Sequence, residues 1–214
     1  MTRWGMVIDL KRCVGCQTCT VACKIENFVP PGVFFTLVHD YEVGKYPTVQ
    51  RHFMPTGCMH CKEPPCVEVC PTGASHQRED GIVLVDKDKC MGCRYCMLAC
   101  PYSARYFNED GGHGYFEAGP TPYEAFGAGR HENGTVIKCT FCAERIDEAQ
   151  LLGLKVGVDR DATPACVGSC IANARYFGDL DDENSEVSQL IRARGGRLVQ
   201  EELGTEPCIY YLMR

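Results

Sequence analysis

Sixteen of the seventeen cysteines in this 214-residue chain fall into four groups of four. Cys13, Cys16, Cys19 and Cys23 are spaced Cys-x2-Cys-x2-Cys-x3-Cys, and Cys90, Cys93, Cys96 and Cys100 repeat that spacing. Cys58, Cys61, Cys66 and Cys70 form a third such run with a wider middle gap, and the last group is split into Cys139 and Cys142, then Cys166 and Cys170. Thiolates at these intervals are ligand runs of [4Fe–4S] cubanes. One tight loop delivers three ligands, and the distant fourth of each run reaches a neighbouring cluster. Groups of this kind work in pairs, and their chemistry is electron transfer. Structural zinc needs two separated Cys-x2-4-Cys knuckles around one tetrahedral ion, which these runs fit poorly. A disulfide framework belongs to small secreted domains, and Cys-x2-Cys pairs closed over Val14-Gly15 and Met91-Gly92 are awkward for distant bridges.

Exchange of fourth ligands pairs the contiguous second and third runs and leaves the first and fourth to close around them. One cluster then takes Cys58, Cys61, Cys66 and Cys100, and its neighbour takes Cys90, Cys93, Cys96 and Cys70. Another takes Cys13, Cys16, Cys19 and Cys170, and the last takes Cys139, Cys142, Cys166 and Cys23. Every site has four thiolates, so four [4Fe–4S] clusters are expected. Pro71 and Pro101 follow two of the fourth cysteines, whereas Lys24 and Ile171 follow the others, so the two pairs should differ in potential. Lys24, Arg94, Lys138 and Arg175 adjoin ligands and either raise cluster potentials or shield surface charge. His60, beside a complete cysteine set, reads as a hydrogen-bonding or surface residue, and His113 and His131 read as solvated. Cys208 lies far from every run and reads as a buried or free thiol.

Charge and composition narrow the function. Lys and Arg total 22 against 28 Asp and Glu, a formal charge of −6, and the basic residues form no stripe. That excludes a nucleic-acid binder. Four oxidised clusters would add roughly −8. No stretch approaches the apolar length of a membrane span, and Met1-Thr2-Arg3-Trp4 opens neither an apolar export signal nor a twin-arginine one. The expectation is a soluble chain whose export, if any, depends on a partner. Nothing resembles a pterin, flavin or nicotinamide site, and no nucleophile–base set suggests catalysis. The apolar residues come in short runs, so the core should be thin, with clusters acting as staples and folding coupled to their insertion.

The elements that must position these ligands repeat. Val7 to Cys13 lines up with Leu84 to Cys90, each a short apolar run with an Asp four residues before the first cysteine (Asp9, Asp86). Ala104-Arg105-Tyr106-Phe107 after Cys100 matches Ala174-Arg175-Tyr176-Phe177 after Cys170. Duplication of a bacterial ferredoxin unit, itself a strand, a cysteine loop, a helical turn and a return strand, accounts for both. The fold class is therefore α+β. Residues 1–57 with 138–178 make a first two-cluster unit and 58–107 a second. Residues 108–137, rich in glycine, make an irregular insertion, and 179–214 form a helical tail. Thr20-Val21-Ala22 and Met97-Leu98-Ala99 should be helical, Gly81 to Val85 a hairpin strand, and Ile146 to Leu154 a helix. Ser185 should cap a helix from Glu186 to Arg194 that Gly195 stops. That helix and the tail through Tyr211 should pack against another subunit or against the ferredoxin core.

Nearly the whole chain resembles the four-cluster iron–sulfur subunits of molybdenum or tungsten bis-pyranopterin oxidoreductases of the dimethyl sulfoxide reductase type. The likeness lies in Met6-Val7-Ile8-Asp9-Leu10, Cys61-Lys62-Glu63-Pro64-Pro65-Cys66, Cys93-Arg94-Tyr95-Cys96, Lys138-Cys139-Thr140-Phe141-Cys142 and Gly178-Asp179-Leu180-Asp181-Asp182. It is most similar to the small subunits of polysulfide, thiosulfate, tetrathionate and arsenate reductases and of sulfite dehydrogenases. The resemblance implies an electron-transfer subunit, without a catalytic site, between a large molybdopterin or tungstopterin subunit and a quinone-reactive integral membrane subunit, in sulfur- or arsenic-compound respiration. It also implies that the cluster of Cys90, Cys93, Cys96 and Cys70 faces the membrane partner and the first–fourth pair faces the catalytic one. The chain would then sit at the membrane through a partner, on the periplasmic or the cytoplasmic face. The alternative is an independent soluble polyferredoxin, against which the insertion and tail argue.

Overall fold

The computed structural model describes residues 2–109, 114–116 and 119–213. Its strands are β1 (Trp4–Asp9), β2 (Thr36–Val43), β3 (Gln50–Gly57), β4 (Ser75–Gln77), β5 (Val83–Val85), β6 (Tyr106–Asn108), β7 (Thr135–Ile137), β8 (Arg175–Asp179) and β9 (Ile209–Leu212). Its helices are α1 (Thr18–Asn27), α2 (Pro65–Glu68), α3 (Tyr95–Leu98), α4 (Pro122–Gly127), α5 (Ala143–Leu152), α6 (Ala165–Gly168) and α7 (Glu186–Arg194).

Each step from one cysteine run to the next is an antiparallel strand pair. β2–β3 joins the first run to the second, β4–β5 the second to the third, and β6–β7 the third to the fourth. β8, after the fourth run, returns to pair with β1, before the first, in the register Trp4↔Asp179. The cycle of runs is thus closed by hydrogen bonds between the strand before the first run and the strand after the fourth. The duplication follows from it: β1 and β8 occupy the places in one half that β5 and β4 occupy in the other.

β1 is almost wholly apolar because both its faces are covered. Met6 and Ile8 point into the main core with Phe177, Ile209 and Tyr211, while the intervening Val7 points the other way, against Val187 of α7 and Leu212. The tail therefore packs on the ferredoxin core. β9 adds a parallel strand beside β1, and Tyr211 Oη donates to the Pro55 carbonyl at 2.8 Å. α7 runs from Glu186 to Arg194, with Ser185 Oγ accepting the Ser188 N–H and Gly195 at φ 64 ending it.

Two segments differ from expectation. The insertion is not wholly irregular: Asn108 ends β6, Thr135–Ile137 form β7, and α4 lies between them. Thr121-Pro122-Tyr123-Glu124 is a capping box with proline at the first helical position. Glu124 accepts from Thr121 N at 2.6 Å, and Thr121 Oγ1 accepts from Glu124 N at 3.3 Å. The high glycine content masked this signature. His113 and its neighbours 110–112, like residues 117 and 118, lie outside the described residues. The long β2–β3 hairpin had no counterpart in the sequence reading, because its strands carry charge and β2 is exposed over most of its length.

Candidate iron–sulfur centres

The sixteen cysteines line four separate cavities. Cys13, Cys16, Cys19 and Cys170 line the first, and Cys23, Cys139, Cys142 and Cys166 the second. Cys58, Cys61, Cys66 and Cys100 line the third, and Cys70, Cys90, Cys93 and Cys96 the fourth. Helices deliver the crossing cysteines: α1 carries Cys19 and Cys23 to different cavities, and α6 separates Cys166 from Cys170. Cys208 lines none of the four. It is fully buried, and its backbone joins strand and loop, with its N–H donating to the Met59 carbonyl at 2.9 Å and its carbonyl accepting from Met6 N at 3.0 Å.

In each of the four groups the residue just before the second cysteine has a left-handed backbone. Gly15 and Gly92 take φ of 68° and 70° without penalty, but the equivalents in the other two groups are His60 (φ 42°) and Phe141 (φ 55°). These two side chains stack on each other, with ring centroids 3.7 Å apart, Phe141 lining the second cavity and His60 the third. His60 Nδ1 accepts the Val83 N–H at 3.1 Å. Burial, with Lys138 and Arg105 close by, pushes its pKa well below 6.5, so the ring is neutral. His60 is thus a buried hydrogen-bonding residue. His131 is not solvated either: its Nε2 donates to the Asn27 carbonyl at 2.8 Å and its ring packs edge-on against Phe35.

Donors surround the sulfurs. Ser75 N and Ala174 N each lie 3.3 Å from the sulfur of Cys70 and Cys170 respectively. Val136 N approaches Cys90 Sγ at 3.5 Å and Phe141 N approaches Cys139 Sγ at 3.4 Å. Asn27, absent from the sequence reading, reaches Cys23 Sγ at 3.6 Å and Cys142 Sγ at 3.8 Å. Its position one helical turn after Cys23 was the available signal. Arg105, also missed as a site residue although its repeat was visible, donates to Cys66 Sγ at 3.0 Å.

The donor sets fit cubanes. No three Cys, His, Asp or Glu side chains among the described residues converge to hold a single ion. Each set of four thiols lines a cavity, as a four-iron cluster requires. Burial pushes the thiols of Cys61 and Cys166 up to about 12 and about 11, and those of Cys23 and Cys139 higher, with neighbouring thiols adding to the effect. Such thiols stay protonated until metal displaces the proton.

The cavities form a row. Arg175 lines both the first and the second, and Cys58 lines both the second and the third. Arg105 spans the third and fourth by donating to Cys66 Sγ and, at 2.8 Å, to Ser75 Oγ.

This fold and these thiol sets define an iron–sulfur protein of the dicluster type. Two 4Fe-4S dicluster domain families match the sequence, over residues 12–74 and 49–115. A selenate reductase subunit of Mesobacillus selenatarsenatis is 44% identical, the match covering 98% of this chain and 72% of the relative. A sulfite dehydrogenase subunit of Allochromatium vinosum is 42% identical, covering 100% and 84%. A tetrathionate reductase subunit of Salmonella typhimurium is 42% identical, covering 98% and 72%. The chain belongs to the family of iron–sulfur subunits of dimethyl sulfoxide reductase-type oxidoreductases, and its cofactors are four [4Fe–4S] clusters. Among the described residues no helix is long and apolar enough to cross a membrane.

Proposed function

We propose that this chain relays electrons through four [4Fe–4S] clusters between a molybdopterin or tungstopterin catalytic subunit and a quinone-reactive membrane subunit, in the respiration of a sulfur or arsenic compound. One observation carries the reading. Of the sixteen cysteines in the runs only Cys16 and Cys93 are exposed, and they line the cavities at opposite ends of the row. Exposed apolar side chains accompany each end: Val14, which lines the first cavity, and Ile171, next to Cys170; and Met91, which lines the fourth cavity, with Tyr95 and Leu98 of the same run. Such exposed apolar side chains suit docking surfaces that exclude water. A relay needs two ends, and a free carrier needs one.

In this reading each cavity's four cysteines are the ligands of one cluster, which when bound supplies a one-electron couple. Residues 1–57 with 138–178 form the unit facing the catalytic partner, and 58–107 the unit whose fourth-cavity end, at Cys93, faces the membrane partner. Relatives named for sulfite, tetrathionate and arsenate chemistry support the substrate class.

The test is anaerobic purification from native membranes. We expect about sixteen irons per chain, no stoichiometric zinc, and copurification with a pterin-containing subunit. The isolated chain should be reduced by dithionite yet turn over no sulfur or arsenic oxyanion. Near eight irons, or a native monomer free of any pterin protein, would overturn the reading.

A further inference from the structure

Among the described residues only three lysine or arginine side chains are buried: Arg105, Lys138 and Arg175, exposed by 4%, 3% and 7%. A buried cation is strongly unfavourable without counter-charge. No described carboxylate pairs with any of the three. Their neighbours are sulfurs, hydroxyls and carbonyls.

Their places follow the row of cavities. Arg175 lies between the first and second, lining both and donating to Thr36 Oγ1 at 2.9 Å. Lys138 lies between the second and third, its ammonium donating to the carbonyl of Cys139, a ligand candidate of the second, and to that of Val83, which lines the third. Arg105 lies between the third and fourth, on Cys66 and Ser75. Four cavities in a row have three gaps, and each gap holds one buried cation. The other cations beside ligands are placed differently. Arg94 is exposed, pairs with Glu109 at 3.3 Å and lies over the Phe107 ring, and Lys24 donates to the carbonyls of Pro30 and Val33 and to Tyr115 Oη.

We infer that Arg105, Lys138 and Arg175 are positioning residues that set the potentials of the relay, each acting on the two clusters that flank it and on no others. The inference rests on the ligand sets proposed above. Adding an electron to a cluster adds one negative charge. A cation held nearby in the low-dielectric interior favours that reduced state, and burial protects the interaction from solvent screening. The inner two clusters each feel two such cations and the terminal two feel one. The cations therefore raise the middle of the row relative to its ends, offsetting the lower potential that deeper burial of a negative cluster would impose.

The test is potentiometric titration of the anaerobically purified, cluster-containing full chain, with dithionite as reductant and each cluster followed by electron paramagnetic resonance. Arg175→Gln, Lys138→Met and Arg105→Gln should each lower the one-electron midpoints of two clusters by at least about tenfold in the reduction equilibrium, ~59 mV. The other two should stay in place, and the affected pair should move one step along the row from variant to variant. Arg175→Lys, Lys138→Arg and Arg105→Lys keep the charge and should restore most of the shift. Four clusters with unmoved midpoints, or all four moved equally, would overturn the inference while leaving the relay intact. If a neutral variant does not assemble, the charge-conserving variant decides: assembly with midpoints lowered like those of a charge loss would overturn it, and wild-type midpoints support it. Fewer than four clusters in the wild-type chain would instead refute the ligand sets.

Discussion

Burial alone does not place a cysteine at a thiol-lined cavity, as Cys96 and Cys208 show. Cys96 is 7% exposed and faces a cavity with three other thiols, whereas Cys208 is 0% exposed and lines none of the four. Replacing Cys96 with Ala should convert one cluster to [3Fe–4S] or lose it, leave the other three, and stop electron flow to or from quinone. Cys208→Ser should keep all four clusters and cost only the burial of a hydroxyl, about 1–3 kcal/mol. Iron analysis and electron paramagnetic resonance of the two variants check this. Equal cluster loss in both would show that Cys208, or the protein around it, belongs to a site.

At the scale of elements, the strand pairs clamp the cysteine loops. A Cβ on Gly92 would meet the Gly134 carbonyl oxygen at 2.2 Å, at the turn into β7, so the β6–β7 pair lies directly on the third-run loop. Gly73 has nearly the same φ, 67°, but nothing within 4 Å of such a Cβ. The two positions separate backbone strain from contact. Gly73→Ala should cost about 1–2 kcal/mol, the left-handed penalty alone. Gly92→Ala should cost more and should reduce occupancy of the fourth-cavity cluster, because a backbone carbonyl cannot rotate aside as a side chain can. Thermal unfolding and iron content of both variants measure it, and equal stability with full occupancy would show that the hairpin yields.

For the whole molecule, the apolar core and the cluster sites are one structure. The largest buried cluster of side chains includes Cys19, Cys61 and Cys166 among Met6, Ile8, Phe141 and Tyr211. Removing the clusters leaves thiol-lined voids in the middle of that packing, and the short helices α2, α3 and α6, of four residues each, cannot persist alone. Iron chelation under anaerobic conditions should therefore unfold the chain, with circular dichroism and iron release changing together. A chelated protein that kept its native spectrum would show that the strand pairs and α7 suffice.

The chemistry was legible in the sequence because it is local. Runs such as Cys13 to Cys23 place ligands within one loop and one helical turn, the caps Ser185 and Gly195 act on their own helix, and the matching stretches around Arg105 and Arg175 betray the duplication. The sequence also supplied the class of protein, since four complete thiolate sets admit little else. Contacts across the fold decided the rest. His60 and Phe141 hold left-handed positions where glycine stands in the other two groups, and these residues, 81 apart in sequence, stack on each other in the interior. The insertion's helix was hidden among glycines, and the tail's packing depended on β9 finding β1 from the far end of the chain. Lys24, Arg94, Lys138 and Arg175 all adjoin cysteines and look equivalent in the sequence. Only the tertiary structure buries the last two, adds Arg105, and places one cation in each gap, because the energy of a charge depends on what surrounds it in space.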